Sequence, residues 1–443
     1  MADMRDYSTK EAITIRSGSE PVSELSDEDL SHEDSQFPPV DRGVGAWMFL
    51  VASFVIEGLV WGYASSFGVF QEYYQTHAPF EGSGNIAIIG TCATGLAYFL
   101  TPFVIGLMIA WPRIQCWLST IGMVMMCLSL AASSYATNVT HLALSQGVLY
   151  GVGGCLAFTP AIIFTTEWFV KRRGFAFGLV WGGSGLTGMV FPIAIQALLD
   201  RYGWETTLRV SSVGLFILGG PFLFFLKPRI PTRTSTRRSL NLKFQFNRVY
   251  IIYQLANIIE ALGYFLPAVF LPSHAAAIGT HGILASLTVV LFNFTTVIGC
   301  AIMGYMTDRY HVTNCIMVST VGAIVSVFLV WGLSTNIGVL FLFSSLYGLF
   351  AGAFSSTWSV VAREVEKSEP SADLSMVFSF LEAGRGIGNI LSGPLSSALI
   401  NGHPWQGTVG GAYGSGYGVL IVFTGSTALL GGLSLFARMI KWV

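Results

Sequence analysis

Charge is scarce in this chain. Lysine and arginine number 23 and aspartate and glutamate 24 among 443 residues, so charged side chains make up only 11%. An average soluble domain carries about 25%. Ten of the acids (Asp3, Asp6, Glu11, Glu20, Glu24, Asp27, Glu28, Asp29, Glu33 and Asp34) crowd into residues 1–40, which leaves the remainder poorer still. With 53% hydrophobic residues and a mean hydropathy of +0.63, the solvent of this chain is largely lipid.

Other absences exclude function classes. The six cysteines (Cys92, Cys116, Cys127, Cys155, Cys300 and Cys315) lie in or beside apolar runs and form no C-x-x-C pair. No His/Cys set has ligand spacing, so neither a disulfide framework nor a metal site is expected. Residues 1–40 lack an apolar core of the kind a cleaved signal peptide has. The net charge of −1 says nothing about nucleic acid, because the basic residues are scattered over loops, and no nucleic-acid partner is expected. No nucleophile–base constellation or phosphate loop is present. Gly384-x-Gly386-x-Gly388 sits inside an apolar run, without the strand a dinucleotide fingerprint needs. The chain is therefore read as a non-enzyme with no cofactor.

What is present is a series of long apolar runs. Twelve stretches, each near the ~20 residues a membrane span requires, fall at about 44–69, 84–108, 114–134, 140–165, 174–199, 205–226, 249–271, 282–305, 313–333, 337–361, 374–399 and 416–437. The expected fold class is an all-α membrane protein of twelve transmembrane helices. Residues 1–40 read as a disordered acidic cytoplasmic tail, since such a segment has too little apolar surface to order itself. Its serine-rich stretch 23–35 offers phosphorylation sites. Residues 41–227 read as one six-helix bundle, 228–248 as a basic central loop, and 249–443 as a second six-helix bundle. With the N-terminus inside, sixteen basic residues fall on the cytoplasmic side and only Arg201 and Arg209 outside. That bias places both termini in the cytoplasm. The halves also echo each other. Leu149-Tyr150-Gly151 recurs as Leu346-Tyr347-Gly348, Gly106-x-Met108 as Gly304-x-Met306, and Gly182 and Pro192 as Gly384 and Pro394. Parallel recurrence in this order is what two related halves predict.

One stretch stands out. Lys171, Arg172 and Arg173 separate two apolar runs, and the second run carries Gly178, Gly182, Gly183, Ser184, Gly185 and Gly188. The cations mark a loop at a membrane surface, and the small residues a closely packed helix. The pattern Trp168-Phe169-x-Lys171-Arg172-Arg173, then Ala176-x-Gly178 and Gly183-Ser184, resembles the helix 4–5 junction of the monocarboxylate porter family, within the major facilitator superfamily. Asp41-Arg-Gly43-x-Gly45-x-Trp47 and Ser66-Phe-Gly68-Val-Phe70 resemble that family's helix 1, with Arg42 and Ala46 as departures. Gly304-Tyr-Met-Thr-Asp308-Arg309 resembles the superfamily's Gly-x-x-x-Asp-Arg gating loop; in the first half Ala110 stands where the acid belongs. The resemblance covers the whole membrane part and looks closest to the fungal branch. It implies two six-helix pseudo-repeats that alternate access to a central site. Characterised animal members resemble one another in a helix 1 lysine and a helix 8 Asp/Arg pair; here those positions hold Ser65, Thr296 and Cys300. The cations that would grip a small carboxylate are absent.

Ionisable groups at membrane depth are costly and therefore informative. Glu382, Arg385 and Asn389 share one face of helix 11, as a cavity stripe or an internal ion pair. Tyr253, Asn257, Glu260 and Tyr264 fall on one face of helix 7, which Gly263 and Pro267 then interrupt. Glu57 lies in mid-helix 1, placed to carry a proton or to be a neutral structural group, and Asn293 and Trp181 are weaker candidates. His77, His274, His281 and His403 fall near external loops and read as surface histidines. Lys171, Arg172, Arg173, Asp308 and Arg309 are the gating or loop candidates. The expected function is a plasma-membrane secondary transporter of a small organic metabolite. Export of a secondary metabolite is the first reading and proton-linked uptake of a monocarboxylate the second. A transporter-like nutrient sensor is the alternative of another class. The expected partners are a small-molecule substrate, the lipid bilayer and protons, with Glu57, Glu260 and Glu382 motivating proton coupling.

Overall fold

A computed structural model describes residues 38–83, 85–170, 172–229, 242–307 and 309–433. The acidic tail through residue 37, most of the central loop, Lys171, Asp308 and residues 434–443 lie outside the described residues. The long apolar runs become helices because a chain in lipid must satisfy its backbone groups internally. We number them α1 Val44–Thr76, α2 Ala87–Ala110, α3 Gln115–Ser133, α4 Val139–Trp168, α5 173–202, α6 204–223, α7 Arg248–Ala277, α8 Ile283–Thr307, α9 Val312–Trp331, α10 Ile337–Ser368, α11 Leu374–Ile400 and α12 Gly418–Gly431.

By length and apolarity, nine helices among the described residues qualify as spans. Three features separate nine from the twelve expected. α5 and α6 run together as one 51-residue helix that turns at Gly203, whose φ of 74° only glycine adopts freely. α11 is 27 residues long but carries Glu382 and Arg385 in its interior. α12 is described for only 14 residues.

Local chemistry fixes where helices begin. Asn138 and Asn336 accept from the backbone N–H groups of His141 and Val339 at the start of α4 and α10, equivalent places in the two halves. Asn247 caps α7 and Asp373 caps α11 in the same way. Each cap contributes about 1 kcal/mol. Three helices break near their middles: α1 at Ser66, α2 at Leu100 just before Pro102, and α7 at Phe265 just before Pro267. The α7 break falls where Gly263 and Pro267 predicted it.

The halves have separate cores. One apolar cluster is built entirely from residues between Ala46 and Leu226. Two more draw almost wholly on residues beyond Phe244, with Ala87 and Ile105 as visitors from α2. The sequence echo has a structural counterpart. The Tyr150 hydroxyl donates to the Val60 carbonyl at 3.1 Å, and the Tyr347 hydroxyl to the Tyr264 carbonyl at 3.4 Å. Alternating helices put the connections 77–86, 134–138, 278–282, 332–336 and 401–417 at one end, called here the hairpin end. The opposite, terminal end carries 111–114 and 169–172. Exposed aromatics ring both: Tyr135, Tyr202 and Trp405 at the hairpin end, Trp111, Trp117, Tyr305 and Tyr310 at the terminal end. Such belts sit at membrane surfaces.

The halves meet along three helix pairs. α2 meets α11 so closely that a Cβ on Gly386 would fall 2.5 Å from the Gly95 carbonyl oxygen. α5 meets α8, where Asn293 donates to the Gly188 carbonyl at 3.1 Å and Ser286 to Gln196 at 3.0 Å. α1 meets α7 through Ser273 and Gln75 at 3.0 Å. The glycine run of α5 therefore divides its work. Gly183 abuts Phe54 of α1 within the first half, Gly185 and Gly188 abut Val297 and Asn293 of the other half, and Gly178 has open space beside it.

Candidate functional site

The polar centre is assembled from both halves. On α11, Arg385 is 1% exposed and its guanidinium donates to Glu260 of α7 at 2.8 Å. An unpaired charge would be very costly at such a depth. Three rings cage it: Tyr264 at 4.0 Å, Phe265 at 5.2 Å and Trp358 at 5.5 Å from the guanidinium carbon. The internal Glu382–Arg385 pair permitted by their spacing is replaced by this cross-helix pair. The rest of the α7 face is tied to α10 and α11. Asn257 donates to the Leu381 carbonyl at 2.7 Å and accepts from the Trp358 indole at 3.2 Å. Gln254 donates to the Phe380 carbonyl at 2.7 Å.

Glu57 of α1 and Glu382 of α11 form the other part. Each is 4% exposed, and they belong to opposite halves. Trp61 stands one turn along α1 from Glu57. One oxygen of each carboxyl, Oε2, is buried without a hydrogen-bond partner among the described residues. Such an orphan acceptor is unusual in a folded protein. Aromatic rings line the gap between the halves. Trp61 packs on Tyr98 at 4.3 Å and on Phe158 at 5.3 Å, and Tyr98 reaches Phe265 and Trp358, both at 6.2 Å. Trp61, Tyr98 and Phe265 are half-buried.

The structure thus brings Glu57, Glu260, Tyr264, Glu382 and Arg385 into one region. Asn389 lies one turn further along α11 and donates to Thr94 of α2, a bond between the halves. Asn293 is likewise an inter-half contact, and Asn257 is committed within the second half. Trp181 is half-buried beside Phe177, away from this group. At the terminal end, the Arg172 backbone N–H donates to Asp41 at 2.9 Å, and the Arg229 side chain donates to the Pro38 carbonyl at 2.7 Å. Arg173 opens α5, and Arg309 lies over the Tyr305 ring at 4.3 Å. Lys171 and Asp308 lie outside the described residues.

One expectation is corrected. His274 is not a surface histidine: it is 0% exposed, and its Nδ1 accepts from the Trp331 indole at 2.9 Å. It lies two turns from the break of α7 and belongs to the helix body rather than the loop. His77 and His281 are exposed as expected, His281 lying 4.0 Å from Glu72. The residues missed by sequence reasoning are Tyr98, Thr101, Phe158, Phe265 and Trp358. The one signal for them was Pro102, which marks the bend of α2 beside Tyr98 and Thr101.

Membrane-length helices in two packed halves, with a buried polar centre, are the build of a membrane carrier. The chain belongs to the Major Facilitator Superfamily, whose family model matches residues 44–256 and again 253–438. It is similar to fungal transporters. It shares 28% identity over 429 residues with the agnestins efflux protein AgnL12 of Paecilomyces divaricatus, covering 95% of this chain and 93% of that one. It shares 29% identity over 430 residues with the aspyridones efflux protein apdF of Emericella nidulans, covering 94% and 83%. Among solved structures, the peptide transporter POT superposes with a TM-score of 0.70 at 12% identity, covering 93% of this chain and 98% of that one. At that identity the match speaks for the fold alone.

Proposed function

We propose that this protein exports a medium-sized, partly apolar secondary metabolite by alternating access, coupled to protons. The observation that carries the reading is the capped guanidinium. Arg385 is the basic side chain of the centre, and Glu260 holds it at 2.8 Å inside an aromatic cage. A lactate-sized anion has little apolar surface and must be held by charge, and here that charge is already met. The half-buried rings of Trp61, Tyr98 and Phe265 suit a larger, partly apolar molecule. Relatives named as efflux proteins for agnestins and aspyridones support the same direction. Glu57 and Glu382 are the groups we assign to proton coupling.

We take residues 41–227 and 249–443 as the two rocking bundles and 228–248 as the loop joining them. The charge bias of the loops supports cytoplasmic termini, and the plasma membrane is the assigned location. Lys171, Arg172, Arg173, Asp308 and Arg309 are assigned to gating at the terminal end, supported by the Arg172–Asp41 contact. The kinship to monocarboxylate porters rests on the motifs of α1, α4 and α5. The test is an untargeted comparison of metabolites in cells and medium with and without the protein. A compound accumulating in cells that lack it is the expected result. A compound left behind in the medium would replace this reading by uptake.

A further inference from the structure

The two orphan oxygens of the centre point to what the substrate must bring. Glu57 Oε2 and Glu382 Oε2 are both buried acceptors without a donor. They come from α1 and α11, on opposite halves. The one guanidinium nearby does not serve them, because it is engaged by Glu260. Thr101 does not serve them either, because its hydroxyl donates to the Ala97 carbonyl at 3.3 Å. One turn along α1 from Glu57, Trp61 packs on Tyr98 with ring centroids 4.3 Å apart, and Phe265 and Trp358 lie beyond.

We propose that Glu57 and Glu382 form the polar subsite of the carrier, and that it takes the hydrogen-bond-donor end of an aromatic substrate, an ammonium best and a hydroxyl next. The proposal rests on the transporter reading and names the substrate class of the same site. An ammonium has three N–H donors to offer an orphan oxygen, whereas a carboxylate has none. A cation also gains from the ring faces of Trp61 and Tyr98. A carboxylate would face two acids and a guanidinium already paired. A proton on either carboxyl supplies the missing donor when substrate has left, which links this subsite to the assigned coupling.

Three probes with one ring and different ends separate the possibilities: tryptamine, tryptophol and indole-3-acetate. Binding of tritiated tryptamine to the detergent-purified full-length protein would be measured by scintillation proximity, with the other two as competitors. The expected order is tryptamine tightest, tryptophol next and indole-3-acetate weakest, with about tenfold or more between the ends of the series. The double variant Glu57→Gln/Glu382→Gln, near-isosteric and uncharged, should lose the preference for tryptamine over tryptophol. The single variants carry this arm where the double variant does not fold. Indole-3-acetate binding as tightly as tryptamine would overturn the proposal. So would a preference that survives both glutamine substitutions, or no binding of any probe at millimolar concentration. The readout is binding alone, so a failed export assay with this order intact would sink the direction of transport and not the subsite.

Discussion

Two buried carboxyl groups of the second half meet opposite fates. Glu260, reaching across from α7, is matched to Arg385 at 2.8 Å and enclosed by rings. Glu382, three residues before Arg385, keeps an orphan oxygen, as does Glu57 of the other half. Both regions are buried and both cross helices, yet only one is satisfied. A satisfied pair inside one half contributes to holding that half in shape. An unsatisfied pair between the halves is where a ligand or a proton has something to supply.

The comparison breaks most visibly at Glu260. Glu260→Gln leaves Arg385 buried without its counter-charge and is expected to destabilise the protein by about 3–5 kcal/mol, read as a lowered thermal midpoint in detergent. Glu260→Gln/Arg385→Gln should recover most of that loss, since no lone charge remains. Next in size, Gly386→Val drives side-chain atoms into the Gly95 carbonyl and the Phe99 backbone. It is expected to cost about 1–3 kcal/mol, and inter-half cross-linking between α2 and α11 should fall. Glu57→Gln and Glu382→Gln sharpen the contrast from the other side. Each keeps the shape of a group that has no cation to lose, so thermal stability should change by less than about 1 kcal/mol while transport is lost. Smallest is Lys367→Ala on the surface of α10. Its 2.8 Å contact with Glu364 is exposed, and its removal should change the midpoint by no more than about 0.5 kcal/mol.

Much of the fold was legible because lipid imposes simple rules. Apolar length places the helices, and Pro267 and Gly263 mark the α7 break. Recurrence of Leu-Tyr-Gly anticipates that Tyr150 and Tyr347 make equivalent bonds. Ionisable residues at membrane depth are few, so Glu57, Glu260, Glu382 and Arg385 stand out unaided. What was not legible is pairing. Spacing on α11 allowed Glu382 to pair with Arg385, and nothing in the sequence says that Glu260, 125 residues away, reaches it instead. Aromatics were equally opaque: with 14% Phe, Trp and Tyr, nothing distinguishes Trp61, Tyr98 and Trp358 from rings that face lipid. His274 misled because position near a helix end says little about which side of the helix faces the core.

The most direct test sets the two regions against each other in one assay. Cells producing wild type, Glu260→Gln/Arg385→Gln, or Glu57→Gln/Glu382→Gln would be compared for retention of the exported metabolite, at matched membrane levels of folded protein. The account predicts that the first variant still clears the compound and the second retains it as fully as cells without the carrier. Clearance by the second variant with retention by the first would assign the work to Arg385 and Glu260, and would contradict the account.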